Sequence, residues 1–286
     1  MPSIERVGVV GCGLMGAGIA EVSARAGLDV VVAESSEDAA KAGYARIEAS
    51  LRRAADRGKI ASADEVLDRI QVVATLDALA DRDLVVEAIV EDEAAKTELF
   101  KKLDEIVTSP DAILASNTSS IPIMKLAVGT SRPAQVMGIH FFNPVPVLSL
   151  VELVPSLLTA DDTTERARRF VQDQLGKRAI DCQDRAGFVV NALLIPFILS
   201  AIRMMESGFA TAEDIDEGLV RGAAHPQGPL ALADLIGLDT TKAVAESLYE
   251  EFKEPLYAPP PLLARMVSAG LLGRKTGRGF YTYEKK

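Results

Sequence analysis

The chain has two textures. Over roughly its first 185 residues, short apolar runs rich in β-branched side chains alternate with longer stretches of helical periodicity. The runs at residues 6–10, 29–33, 70–74, 84–87, 112–115 and 135–139 predict strands. They are continuously apolar rather than alternating, the pattern of parallel strands covered on both faces. Helical periodicity between them is clearest at residues 14–26 and 92–107. A β–α–β unit followed by further βα units predicts a doubly wound α/β sheet. Residues 149–154 and 178–182 predict two more strands at its far side. Residues 37–67 are too many for a simple βα connection and predict a helical excursion from the sheet.

After Gly187 the strand signals fade. Helical periodicity fills residues 188–207, 212–221, 240–252 and 261–269, so the chain is expected to end in a mainly α-helical C-terminal domain. The change falls at residues 184–187 and divides the 286 residues into segments 1–185 and 186–286. That matches the two domains expected from length at about 150 residues each.

Net charge changes the picture only when it is divided. Thirty-one Lys and Arg against 41 Asp and Glu leave −10, which argues against a nucleic-acid partner. Yet Lys41, Arg46, Arg52, Arg53, Arg57 and Lys59 face only Glu48 and Asp56 within residues 41–59. That window is +4 and the remainder −14, so a small polyanion has a local target inside an acidic protein. Cys12 and Cys182 are the only cysteines, which fits a reducing compartment. The N-terminus does not read as a signal peptide, and no apolar stretch approaches the roughly 18 residues of a membrane span. A cytoplasmic protein without membrane or metal partners is expected.

Gly11, Gly13 and Gly16 form a GxGxxG loop directly after the first predicted strand and at the head of a helix. This context turns a weak motif into a Rossmann-type dinucleotide fingerprint, with Leu14 and Met15 in the same loop. Gly11 permits the tight turn, Gly13 lets backbone approach a pyrophosphate, and Gly16 allows close packing of helix on strand. The phosphates then meet the free N–H groups of the helix N-terminus. Glu34 ends the second strand, where a carboxylate can accept from both ribose hydroxyls and disfavours a 2′-phosphate. NAD is therefore the expected cofactor, although FAD-binding folds share the loop. Cys12 reads as a small filler.

Ligands of open α/β sheets bind outside the carboxyl ends of the strands. Three predicted ends carry unusual polar groups: the serine-rich stretch Ser116, Asn117, Thr118, Ser119, Ser120; His140 before Phe141, Phe142 and Asn143; and the pair Glu87 and Glu91. Only two histidines can serve as a base near neutral pH, and His225 lies in a turn-rich loop. His140, at a strand terminus, is the candidate. Glu152 stands inside an apolar strand twelve residues on, where a carboxylate requires a partner. Fixing one imidazole tautomer is a natural use for it.

These motifs occur in a set order. After them come Gly187, Phe188 and Asn191; His225-Pro226 with Gly228-Pro229; Asp234 to Asp239; Lys275 to Gly277; and Gly279 to Tyr281. Over essentially its whole length the chain resembles the 3-hydroxyacyl-CoA dehydrogenases, and within them the free-standing bacterial enzymes. The resemblance implies that His140 takes the hydroxyl proton of a 3-hydroxyacyl-CoA and that Glu152 orients it. It implies that Ser119, rather than Ser116 or Ser120, binds the reacting oxygen, and that Asn191 holds the acyl group. Glu91, Lys96, Ser119 and Lys275 match positions assigned to the cofactor; for Lys96 the plain alternative is a solvated helix residue. Ser50 and Arg57 fall where relatives contact coenzyme A, which gives the basic island a ligand. The resemblance also implies a helical domain that lines the substrate cleft and forms a homodimer. Many relatives have proline, arginine and aspartate where this chain has Ala186, Ala192 and Glu34. Two other readings use the same residues: a dehydrogenase of a free hydroxy acid or sugar acid, and a structural or sensor protein that binds NAD.

Overall fold

A computed structural model describes residues 3–284 of the chain. The backbone divides into two compact units, Met1–Asp184 and Arg185–Lys286. The first unit contains strands β1 (Arg6–Val10), β2 (Asp29–Ala33), β3 (Ile70–Val73), β4 (Leu84–Glu87), β5 (Ile113–Ser116), β6 (Val136–Phe141), β7 (Leu150–Pro155) and β8 (Arg178–Asp181). They form one sheet in the order β3-β2-β1-β4-β5-β6-β7-β8. Strands β1 to β6 pair in parallel, β7 runs antiparallel to β6, and β8 is parallel to β7. The strand order reverses at β1, so the crevice between the carboxyl ends of β1 and β4 is the ligand-binding position of such a sheet.

Helices α1 (Leu14–Arg25), α2 (Glu37–Asp56), α3 (Ala63–Leu67), α4 (Glu93–Ile106), α5 (Ile123–Ala127) and α6 (Asp161–Arg169) complete this unit. The six inner strands bury nearly every residue because helices cover both faces, whereas the edge strands β3 and β8 bury one residue each. The core runs from Val7, Val9 and Ile19 to Phe141 and Phe170. The expected excursion resolves into the 20-residue α2 and the short α3. Ser36 caps α2 by accepting the Ala39 N–H at 3.2 Å, an interaction worth about 1 kcal/mol. Helix α2 seats Ala40, Gly43, Ile47 and Leu51 against the unit, a stripe at three- and four-residue spacing.

Two differences from the sequence reading have clear causes. Strand β6 extends through Phe141, so His140 lies within the strand and not beyond it. Its partner β7, the strand expected at residues 149–154, pairs with both residues, and only its antiparallel direction had no local signal. Helix α6 carries almost no apolar periodicity in DDTTERARR, and it buries Thr163, Arg166 and Ala167 instead.

The second unit is helical: α7 (Val190–Glu206), α8 (Ala212–Gly222), α9 (Pro229–Ile236), α10 (Leu238–Phe252) and α11 (Pro261–Ser268). Ile195, Ile198, Leu199, Ile202, Leu230, Leu248 and Leu263 lie in its core. Two buried aspartates fasten its loops. Asp216 accepts the Leu230 and Ala231 N–H groups at 2.8 and 2.9 Å and the Tyr281 hydroxyl at 2.9 Å. Asp234 accepts from the Phe280 and Tyr281 N–H groups at 3.0 and 2.9 Å and from the Tyr283 hydroxyl at 2.9 Å. Among the described residues, no helix is long and apolar enough to cross a membrane.

Candidate active site

The nucleotide loop joins β1 to α1. Gly11 has φ of 88°, a left-handed conformation that favours glycine. A Cβ on residue 16 would stand 1.8 Å from the Gly11 carbonyl oxygen, so only glycine lets α1 start this close to β1. Residue 13, in contrast, would meet nothing within 4 Å, and the space beside it is open to a ligand. Helix α1 has neither a side-chain cap nor an acidic residue in its first turn, whereas α2 and α4 have both. Its N–H groups and positive dipole end are left for an anion. Leu14 is exposed and Met15 half-buried at the same turn. Glu34 closes the loop by accepting the Cys12 N–H at 2.5 Å and the Ser35 N–H at 3.0 Å. Open space, an uncompensated helix N-terminus and a carboxylate beside the loop fit NAD. Burial and the nearby Glu34 push the Cys12 thiol up to about 11, consistent with a packing role for this residue.

At the end of β6, cross-strand register places His140 directly opposite Glu152. His140 Nδ1 lies 2.7 Å from Glu152 Oε2. The imidazole is 5% exposed and Glu152 0%, so water competes little for this bond. A carboxylate at Nδ1 selects the tautomer with the proton there and leaves Nε2 with the basic lone pair. The Phe142 ring packs edge-on at 4.6 Å from the imidazole and further restricts its rotation.

Between these two positions lies a network of charges. Glu87, fully buried at the end of β4, accepts from Lys96 Nζ at 2.5 Å, from the Ile89 N–H at 2.7 Å and from Ser116 Oγ at 2.6 Å. Lys96 also pairs with Glu91 at 3.2 Å. Glu91 Oε1 in turn accepts from Thr118 Oγ1 at 2.5 Å, the Ser119 N–H at 3.0 Å and Ser120 Oγ at 3.0 Å. Ser119 Oγ lies 3.4 Å from the same oxygen. Burial would raise the Glu91 carboxyl, but Lys96 and these donors hold it below the usual carboxylate value. Lys96 is only 1% exposed, so it is not the solvated helix residue that its sequence position allowed.

Glu87 was visible in sequence only as one of a pair of acids; its burial on an apolar strand made it the centre of this network. Asn117 was visible only as a member of the serine-rich stretch, with no role assigned to it. Its Oδ1 accepts the Phe141 N–H at 2.8 Å, which ties the serine-rich loop to the strand residue beside His140.

The basic island divides along α2. Arg52 pairs with Glu48 at 3.3 Å and with Asp64 at 2.7 Å. Arg46, Ser50, Arg53 and Arg57 recur at four-, three- and four-residue spacing, and so share one side of the helix next to its buried stripe. Arg53 and Arg57 are exposed and make no ion pair among the described residues. In the second unit, Asn191 lies half-buried in the first turn of α7. Lys275 Nζ pairs with Asp239 at 2.6 Å. Among the described residues no group of three His, Cys, Asp or Glu side chains is arranged to hold a metal.

A doubly wound sheet, a helix N-terminus without side-chain cap or acidic residue at its first turn, and a buried histidine–carboxylate pair at a later strand end define a nicotinamide-dependent dehydrogenase. Sequence comparison gives the same class. Residues 6–185 match the family model described as 3-hydroxyacyl-CoA dehydrogenase, NAD binding domain, and residues 187–283 match the C-terminal domain of that family. The chain belongs to the 3-hydroxyacyl-CoA dehydrogenase family. It is 59% identical over 283 residues to a 3-hydroxybutyryl-CoA dehydrogenase of Mycobacterium tuberculosis, covering 98% of this chain and 99% of that one. The crystal structure of M. tuberculosis FadB2 superposes with a TM-score of 0.98 at 58% identity, covering 99% and 100% of the two chains. That of (S)-3-hydroxybutyryl-CoA dehydrogenase PaaH1 from Ralstonia eutropha does so at 0.93 and 47%, again over 99% and 100%.

Proposed function

We propose that the protein catalyses the reversible NAD-dependent oxidation of short-chain (S)-3-hydroxyacyl-CoA, 3-hydroxybutyryl-CoA foremost, to the 3-oxoacyl-CoA. The observation that carries this reading is the buried His140–Glu152 pair at the carboxyl end of β6. The names of the relatives at 59% and 47% identity support the substrate.

In this reading Gly11, Gly13, Leu14, Met15 and Gly16 bind the pyrophosphate, and Glu34 binds the adenosine ribose. Bound NAD supplies the acceptor for the hydride that leaves C3. His140 Nε2 takes the proton of the C3 hydroxyl as general base. Glu152 holds the imidazole in the required tautomer and stabilises its protonated form. Ser119 donates to the reacting oxygen, where charge develops as the proton leaves. Glu91 positions Ser119 on the cofactor side. Lys96, buried beneath, acts through Glu91. Ser50 and Arg57 bind coenzyme A, and Arg53, on the same side of α2, joins them. Arginine suits the phosphates because its planar fork can donate two N–H groups to one phosphate. From the helical unit, Asn191 holds the acyl group and Lys275 reaches the cofactor. Residues 186–286 complete the substrate cleft and form a homodimer, and the enzyme works in the cytoplasm.

The test is NADH consumption, followed by absorbance, with acetoacetyl-CoA as substrate. Turnover well above that of His140→Ala supports the proposal, and a rate no higher than that variant's rejects it. Charge reversal at Arg53 and Arg57 should raise the KM for the CoA substrate. An unchanged KM, together with turnover of a free hydroxy acid, favours a dehydrogenase of uncoupled acids.

A further inference from the structure

Residue 12 of the nucleotide loop is held through its backbone by side chains of opposite charge. Its N–H donates to Glu34 Oε1 at 2.5 Å, and its carbonyl accepts from Arg46 Nη1. Arg46 reaches the loop because Gly43, one turn earlier on α2, lets the helix sit directly on Cys12. A Cβ on residue 43 would stand 2.5 Å from Cys12 Cβ and 2.8 Å from its sulfur. Arg46 makes no ion pair among the described residues, and the Cys12 carbonyl is its one hydrogen-bond partner there. A guanidinium has five N–H donors, so most of this one's are uncommitted. Both charges act on Cys12: Glu34 raises its thiol, and Arg46 partly opposes it.

Glu34 occupies the position that meets the 2′ and 3′ oxygens of the adenosine ribose. A phosphate on the 2′ oxygen brings a charge of about −2. A carboxylate repels it, and in folds of this kind a nearby arginine is what accommodates it. Here the repelling group and an unneutralised arginine flank a single residue. Glu34 disfavours a 2′-phosphate by its place at the end of β2; we propose that this carboxylate also masks a second group beside it. Arg46 is a latent ligand for the 2′-phosphate, available as soon as position 34 is neutral.

The experiment compares Glu34→Gln, Arg46→Met, Glu34→Gln/Arg46→Met and Glu34→Gln/Arg46→Lys with the wild type. Binding of NADH and NADPH to the free enzyme is measured by nucleotide fluorescence, with kcat/KM for each taken separately. Glu34→Gln should shift the NADPH-to-NADH affinity ratio toward NADPH by about tenfold or more, the scale of one charge-assisted hydrogen bond formed and one repulsion removed. The Arg46→Met double variant should lose most of that shift, and the Arg46→Lys double variant should keep part of it. Loss of the Arg46 hydrogen bond could loosen the loop, but a loosened loop weakens both nucleotides together and leaves their ratio unchanged. Thermal unfolding checks that each variant folds. The proposal is overturned if the two double variants and Glu34→Gln shift the ratio equally. It also fails if Glu34→Gln gives no shift, or if Arg46→Met alone, with Glu34 still in place, changes the ratio as much as Glu34→Gln does. Because nucleotide binding is read directly, failure of the proposed acyl-CoA activity would be seen separately.

Discussion

The two units bury their carboxylates in different company. In the first, Glu152 faces an imidazole, and Glu87 faces an ammonium that is itself shared with Glu91. In the second, Asp216 and Asp234 face backbone N–H groups and tyrosine hydroxyls. All four carboxylates are buried, so burial does not distinguish chemistry from architecture. The partner does. A carboxylate satisfied by backbone N–H groups and hydroxyls fixes a loop. One satisfied by an ionisable partner can change that partner's protonation or position, and those carboxylates stand at, beside or opposite the carboxyl ends of β4 and β6, where ligands bind.

The sharpest test of this contrast is Glu152→Gln. It should lower kcat by about 100-fold or more, the range for a misdirected general base, while NADH affinity measured by fluorescence stays within about twofold. Equal loss of cofactor affinity would contradict the assigned role. The second test removes one side of the buried ion pair. Lys96→Met should destabilise the protein by about 3–5 kcal/mol in urea unfolding, because Glu87 loses its ammonium in a dry site. Glu87→Met/Lys96→Met should cost clearly less than the sum of the single variants. Additive losses would mean that the two groups are not coupled.

In the second unit, Asp234→Ala should cost about 3 kcal/mol, since three donors lose their acceptor. It should leave NADH affinity unchanged, and a large loss of that affinity would blur the contrast drawn above. The smallest effect concerns pH. The Glu91 carboxyl lies below its usual value when folded, so its contribution to stability is complete above the unfolded pKa. That contribution is lost as pH falls through the lower folded pKa. Wild type and Glu91→Gln should therefore converge in unfolding free energy as pH is lowered from 6 to 3. Parallel curves would show that Glu91 gains nothing from Lys96 and the loop donors.

Much of the architecture was legible in the chain because its signals are local. Continuous apolar runs mark parallel strands, and a glycine pattern between strand and helix marks the nucleotide loop. The loss of strand signals after Gly187 marks the change to helices. His140 and Glu152 could be selected as well, since a histidine at a strand end and an acid inside an apolar strand both ask for partners. Helix α6 was not legible, because it buries polar side chains and lacks an apolar stripe.

Sequence alone determined the family, the cofactor loop and the identities of the chemical groups, all of which depend on residue types at fixed spacing. Tertiary structure decided which groups meet. The register of β6 against β7 put His140 opposite Glu152. The sheet order brought the ends of β4 and β5 together, so that Glu87 could accept from Ser116, and α4 turned Lys96 inward to meet it. The seating of α2 on Cys12 brought Arg46 to the loop that Glu34 already held. Each of these interactions joins residues separated by nine to 34 positions, and those of Glu87 and Glu152 gain their strength from burial that removes competing water.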